Sequence, residues 1–190
     1  MAKSALPKSR SMAGEQAIYT PDELAKIIVA HFMPSGKICE PCKGGGAFLR
    51  ALPPDCDWYE IEEGKDYLAS SQTYDWVVTN PPWKDVAPFL EKSMQCADNI
   101  VFLTWLTGVL TKARLRTMKQ NGFGIVEFLL VPTPPPPWPQ SGFQLAATWI
   151  RRNWHGGQSF THLTQRGADL IQAGALCPPS SSKSESESPA

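Results

Sequence analysis

The stretch Tyr74-Asp75-Trp76-Val77-Val78-Thr79-Asn80-Pro81-Pro82-Trp83 decides how the chain is read. Residues 74–79 are β-branched and aromatic apart from one acid near the start, the composition of a pleated interior strand. The Pro-Pro pair cannot donate to a ladder and ends the strand. Asn80 is therefore expected where a parallel strand opens into its loop. Ligands of an open α/β sheet bind outside that carboxyl edge, so a side-chain amide, two stiff prolines and an indole there make a polar, aromatic pocket.

Those residue types suit chemistry on an exocyclic amine, whose planar nitrogen is a weak nucleophile. If the side-chain oxygen of Asn80 and the carbonyl of Pro81 accept its two hydrogens, the lone pair is drawn out of conjugation toward a methyl donor. Trp83 then stacks on the ring. Asn80, Pro81, Pro82 and Trp83 are the candidate catalytic residues, and Trp83 is also a candidate substrate-binding residue. The competing reading is an ordinary strand end with a proline turn and a packed indole.

Upstream, residues 36–49 read as a short strand, a turn containing Gly44, Gly45 and Gly46, and a helix start. The glycines let the backbone approach a ligand and expose amide hydrogens at the helix N-terminus. The spacing is neither the dinucleotide fingerprint nor a Walker loop, so nicotinamide and triphosphate binding are not supported. Glu40, just before the turn, suits an ammonium group. Cys39 and Cys42 have no second pair at zinc-ribbon spacing, and His31, His155 and His162 show no metal spacing; no metal is expected. Pro41-Cys42 lies in the glycine turn, not after the later strand, which argues against a cytosine C5 nucleophile.

Before this turn, Thr20, Pro21 and Glu23 have the pattern of an N-cap, a first helical proline and a capping box, predicting a helix to about Phe32. Tyr19 is then a hydrophobic staple, or Tyr19 and Thr20 line one end of a cofactor pocket. After it, residues 57–61 look like a second strand ending in an acid, Glu60, placed as a ribose-binding carboxylate should be. Asp66 and Tyr67 add another acid and an aromatic.

Composition sets the outer bounds. With 190 residues and 42% hydrophobic content, one domain with a real core is expected. Eighteen basic and eighteen acidic residues cancel, so any attraction for nucleic acid must be local. Five cysteines, no signal-peptide pattern and no long apolar run predict a reduced, cytoplasmic protein without a membrane span. Residues 1–14 read as a polar leader and residues 178–190 as a Pro/Ser/Glu tail, both disordered, which leaves residues 15–177 as a single catalytic domain.

Taken in order, these segments resemble the class I S-adenosylmethionine-dependent amino-methyltransferases, most closely the adenine-N6 DNA methyltransferases. Tyr19-Thr20-Pro21 is similar to the family's N-terminal cofactor motif, and Glu40-Pro41-Cys42 with Gly44, Gly46 and Phe48 to its acid-proline and glycine motif. Glu60-Ile61 resembles the ribose acid, Asp66-Tyr67-Leu68 the segment at the cofactor's adenine, and Asn80-Pro81-Pro82-Trp83 the catalytic motif. The resemblance implies a doubly wound, mostly parallel α/β sheet with helices on both faces, and S-adenosyl-L-methionine as cofactor. It also implies methyl transfer to the N6 amine of adenine in DNA. Methylation of RNA adenine or protein glutamine, and a non-catalytic nucleic-acid-binding subunit, are the alternatives.

Two departures accompany it. Five residues separate Glu60 from Asp66, where the family inserts a helix and another strand. Fewer than thirty residues separate Trp149 from the tail, too few for the usual recognition domain. The expectation is a compact form that reads a short site or borrows recognition from a second subunit or a homo-oligomer.

The remaining chain fits the same sheet: helix 86–97, strand 99–106, basic helix 111–120, and strands 124–131 and 144–151. The polyproline segment 133–143 is stiff and can hold Trp138 and Phe143 at a pocket mouth, or it is a rigid surface loop with packed aromatics. Lys112, Arg114, Arg116 and Lys119, with Arg151 and Arg152, form either a solvated face or a phosphate-contacting patch. Trp138, Phe143, Lys112 and Arg114 are candidate substrate-binding residues.

Overall fold

The computed structural model describes residues 18–140 and 142–163. The expected leader and tail, and residues 164–177 of the expected domain, lie outside the described residues. Among the described residues seven strands form one sheet: β1 (Ile38–Glu40), β2 (Asp57–Trp58), β3 (Tyr74–Thr79), β4 (Ala97–Trp105), β5 (Phe123–Val131), β6 (Leu145–Arg152) and β7 (Ser159–His162). Their order is β2-β1-β3-β4-β6-β5-β7. β6 runs antiparallel to both neighbours, and every other pairing is parallel.

Side-chain alternation explains the three layers. In β4, Val101 and Leu103 point to one face and Ile100 and Phe102 to the other, all buried. The first face is covered by α1 (Asp22–Phe32) and α2 (Ala47–Ala51), through Leu24, Ile28, Phe32 and Phe48. The second is covered by α3 (Val86–Cys96), through Leu90 and Met94, and by Met118 of α5 (Lys112–Gln120). A four-residue turn of helix, α4 (Leu106–Val109), lies between β4 and α5. Strands buried on both faces need near-continuous apolar sequence, which is what β3 and β4 supply.

The topology places the site. From β1 the chain moves outward to β2, then returns across β1 to build β3 and continue the other way. The carboxyl ends of β1 and β3 therefore flank the switch point, where a crevice must open. Glu40 ends β1, and Asn80 follows β3.

Three local expectations change. β2 stops at Trp58 instead of reaching Ile61, because the chain turns into a single 3-10 turn (Ile61–Glu63) closed by Gly64 at φ 77°. No strand pairs with the outer edge of β2 among the described residues, in keeping with the short segment between Glu60 and Asp66. The sheet instead gains β7 at its far edge, paired with β5, a strand the sequence reading did not place. Thirdly, α1 begins at Asp22, with an extended Pro21 rather than Thr20 as its N-cap, and Glu23 accepts from Lys26 at 2.9 Å. No helix among the described residues is long and apolar enough to cross a membrane.

Candidate active site

On the β1 side of the crevice, Glu40 is 1% exposed, and one carboxylate oxygen accepts from the Cys42 amide at 2.8 Å. Burial pushes its carboxyl up to about 8, against the opposing effects of the Thr79 hydroxyl and the Cys42 amide. Burial likewise raises the thiols of Cys39 and Cys42 and pushes Cys56 up to about 12, so none of the three supplies a thiolate at neutral pH.

Beyond Glu40, the turn is built by Gly44 at φ 46° and Gly46 at φ 79°, left-handed conformations that favour glycine. A side chain on Gly44 would also meet the Tyr19 ring, whose Cδ1 would lie 3.1 Å from the added Cβ. Tyr19, 55% exposed, thus lies against this turn. The Gly44 amide donates to Glu60 Oε2 at 2.8 Å, joining the turn to the end of the β2 segment.

On the β3 side, Asn80 is held at both ends of its amide. Its Nδ2 donates to the Thr20 hydroxyl at 3.1 Å, and its Oδ1 accepts from Trp83 Nε1 at 3.1 Å. Pro81 is buried, and Pro82 exposed. Trp83 packs against two further indoles, and a phenyl ring follows beyond one of them. Trp105 lies 4.4 Å away by centroid, and Trp138 meets it edge-on at 5.7 Å. Phe143, 56% exposed, lies 6.0 Å from Trp105. The Leu106 amide bonds the Gln144 carbonyl at 2.8 Å, which brings the end of β4 and the loop carrying Phe143 together.

Trp138 is 4% exposed and donates from Nε1 to the Tyr19 carbonyl at 3.0 Å. It is a wall of the crevice, while Phe143 stands at the rim. Trp105 was not singled out from sequence; the available signal was its position as the last aromatic of an apolar strand, at the carboxyl edge.

Several residues matched by motif face elsewhere. Phe48 belongs to the core under α2, and Tyr67 is 2% exposed, bonded to Ser93 at 2.9 Å on the opposite face of the sheet from Phe48. Burial holds the Tyr67 phenol neutral. Asp66 is exposed and accepts from the Leu68 amide at 2.9 Å. Lys112 is exposed at the start of α5, whereas Arg114 is turned inward: its Nη1 donates to the Gly108 carbonyl, and its Nε is buried without a partner among the described residues. Arg152 is likewise engaged, with Asp98 at 2.7 Å and two backbone carbonyls.

No protein-family model matches the chain, and no curated protein matches it. Solved structures do. A Listeria monocytogenes protein classed with the class I S-adenosylmethionine-dependent methyltransferases shares 13% identity at a TM-score of 0.54, over 86% of this chain and 72% of that one. The M protein of the type I restriction enzyme EcoKI shares 14% identity at a TM-score of 0.51, over 70% of this chain and 44% of its own. A chain from an assembled type I restriction-modification system shares 15% identity at 0.51, over 77% and 45%. The chain thus spans less than half the length of these last two. With antiparallel β6 set between parallel β4 and β5 and its crevice at the β1/β3 switch point, the chain has the fold of the class I S-adenosylmethionine-dependent methyltransferases.

Proposed function

We propose that the protein transfers a methyl group from S-adenosylmethionine to the N6 amine of adenine in DNA. The observation that carries the reading is the position of Asn80, an amide oriented at both ends, beside four aromatic rings at the carboxyl edge of β3. A planar ring fits such surroundings better than the flexible side chain of a glutamine, because it can stack on an indole face while its amine reaches Asn80.

The residues of the β1 side fit the cofactor. Gly44 and Gly46 leave a backbone surface free of side chains, the buried Glu40 carboxyl can pair with an ammonium group, and Glu60 can accept from a ribose hydroxyl. When bound, the cofactor supplies an electrophilic methyl group. The protein's own part is positional. Asn80 Oδ1 has a second lone pair beyond the one taken by Trp83, and with the Pro81 carbonyl it accepts the two hydrogens of the incoming amine. Trp83 and Trp105 hold the ring, and Trp138 and Phe143 close the sides against water. Lys112, on the same edge, contacts a phosphate.

Incubating the protein with labelled S-adenosylmethionine and separate DNA, RNA and protein pools tests this. Label in DNA, recovered as N6-methyladenine, is the expected result. Label confined to RNA or protein would move the reaction to another acceptor, and none in any pool would remove the enzymatic reading.

A further inference from the structure

The hydroxyl of Thr20, just before α1, reaches across to the strand end that carries Asn80. The N-cap of α1 is Pro21, which has no side-chain acceptor, and Thr20 Oγ1, one residue further out, accepts from Asn80 Nδ2 at 3.1 Å, sixty positions away. Its neighbour Tyr19 is pinned through its carbonyl to the Trp138 indole at 3.0 Å. The extended segment 19–21 is therefore tied down at the crevice through two consecutive residues.

We infer that Thr20 is a positioning residue that, together with Trp83, fixes which end of the Asn80 amide faces the substrate. This rests on the proposed methyl transfer, since it concerns the residue assigned to the acceptor amine. A carboxamide has two orientations, differing by exchange of oxygen and nitrogen, and only one presents an acceptor to an amine. A hydroxyl alone cannot choose between them, because it donates as readily as it accepts. An indole N–H can, because it only donates. Trp83 Nε1 lies 3.1 Å from Oδ1, so the amide nitrogen is directed to Thr20, whose hydroxyl must then accept. Neither contact suffices alone: Trp83 selects the orientation, and Thr20 stops the amide from rotating about its last bond.

The arrangement also gives Trp83 a second task. Phenylalanine at this position would stack on a ring equally well but could not donate to Asn80, so the indole nitrogen has a role that stacking does not use. The contacts close a ring, from Trp138 to Tyr19, through Thr20 and Asn80 to Trp83, and by an edge-on contact back to Trp138.

The test compares Thr20→Val, which keeps the shape and removes the acceptor, with Thr20→Ser, which restores it, and Trp83→Phe. Two readouts are taken on the full chain. The first is the side-chain amide pair of Asn80 in a nitrogen-15 correlation spectrum, assigned by its loss in Asn80→Asp. The second is kcat at saturating S-adenosylmethionine, so that any change in donor affinity drops out. In the wild type and Thr20→Ser the amide pair should be sharp and protected from solvent exchange. In Thr20→Val and Trp83→Phe it should broaden and exchange. Turnover should fall by about 10- to 100-fold in Thr20→Val, the scale of a small misplacement at a reacting group, and recover in Thr20→Ser. An Asn80 amide pair unchanged from wild type in Thr20→Val overturns the inference, as does kcat within twofold of wild type. If the wild type methylates no pool, the functional reading fails while the amide spectra still decide the positioning.

Discussion

The backbone amide of Gly44 donates to the carboxylate of Glu60 at 2.8 Å, tying the glycine turn to the end of the second strand segment. Gly44→Val adds a branched side chain at φ 46°, which costs about 1–2 kcal/mol in the backbone alone, and sets its Cβ against the Tyr19 ring. Calorimetry should show S-adenosylmethionine binding lost in this variant and in Gly46→Val. Glu60→Ala should weaken binding more modestly, since it removes one polar partner. Wild-type affinity in the glycine variants would make the loop an ordinary tight turn.

Glu40 makes the ligand-free protein sensitive to pH. Its folded carboxyl is raised by burial from the ordinary 4.5 to about 8, so the folded state holds a proton that the unfolded chain releases. The stability this contributes is fully present below about pH 4.5 and is lost as pH rises through about 8. Thermal denaturation between pH 5 and 9 should therefore show a decline in wild type that is smaller in Glu40→Gln. If Glu40 pairs with the cofactor ammonium, as proposed, it must do so in its charged form, and binding at pH 7 should release a proton. Calorimetry in buffers of different ionisation enthalpy would register that release in wild type and not in Glu40→Gln.

Asn80→Ala removes the oriented oxygen while leaving the β1 side untouched. Turnover should fall by about two to three orders of magnitude, or roughly 3–4 kcal/mol, as when one preorganised polar partner of a reacting group is deleted. Donor affinity should stay near wild type. Unchanged turnover would remove Asn80 from the chemistry.

Much of this architecture is written in local composition. β3 is legible because aromatic and β-branched residues followed by two prolines have few other uses, and the glycine turn because three consecutive glycines are costly unless the backbone needs them. Motif matching was less informative about direction. Phe48 and Tyr67 occupy their motif positions but face the core, because each lies where a helix or loop must cover the sheet. The Thr20 contact was illegible for a different reason. Ser, Thr, Asp or Asn before an acid-containing helix start predicts a cap by local geometry, and only the fold brings Asn80 within reach to compete for the hydroxyl. β7 was missed because four residues with a mixed exposed pattern carry little periodic signal.

Trp105 connects the loop that carries Asn80 and Trp83 to the rim, standing between Trp83 and Phe143. If the acceptor base is held among these rings, Trp105→Ala should raise KM for the acceptor, since stacking of a base on an aromatic side chain is worth about 1–3 kcal/mol. The affinity for S-adenosylmethionine should not change. Steady-state kinetics with each substrate varied in turn separates these effects, and an unaltered acceptor KM would place the base elsewhere.

Lys112 and Arg114 stand two residues apart on one helix, yet they should behave differently. Lys112 is exposed at the first position of α5, on the carboxyl edge, where a phosphate can reach it. Neutralising one phosphate contact lowers the steepness of the salt dependence by about one unit of slope in a logarithmic plot. Lys112→Ala should therefore weaken DNA binding uniformly across sequences and flatten that plot. Arg114 turns inward to the Gly108 carbonyl and ties α5 to α4, so its guanidinium serves the fold. Arg114→Ala should lower thermal stability, by about 1.5–3 kcal/mol for a hydrogen bond to a charged donor, and leave the salt slope as in wild type. Binding titrations from 50 to 200 mM salt, run beside thermal melts, would distinguish the two residues. A flattened slope in Arg114→Ala with an unchanged melt would show that Arg114 swings outward to meet nucleic acid.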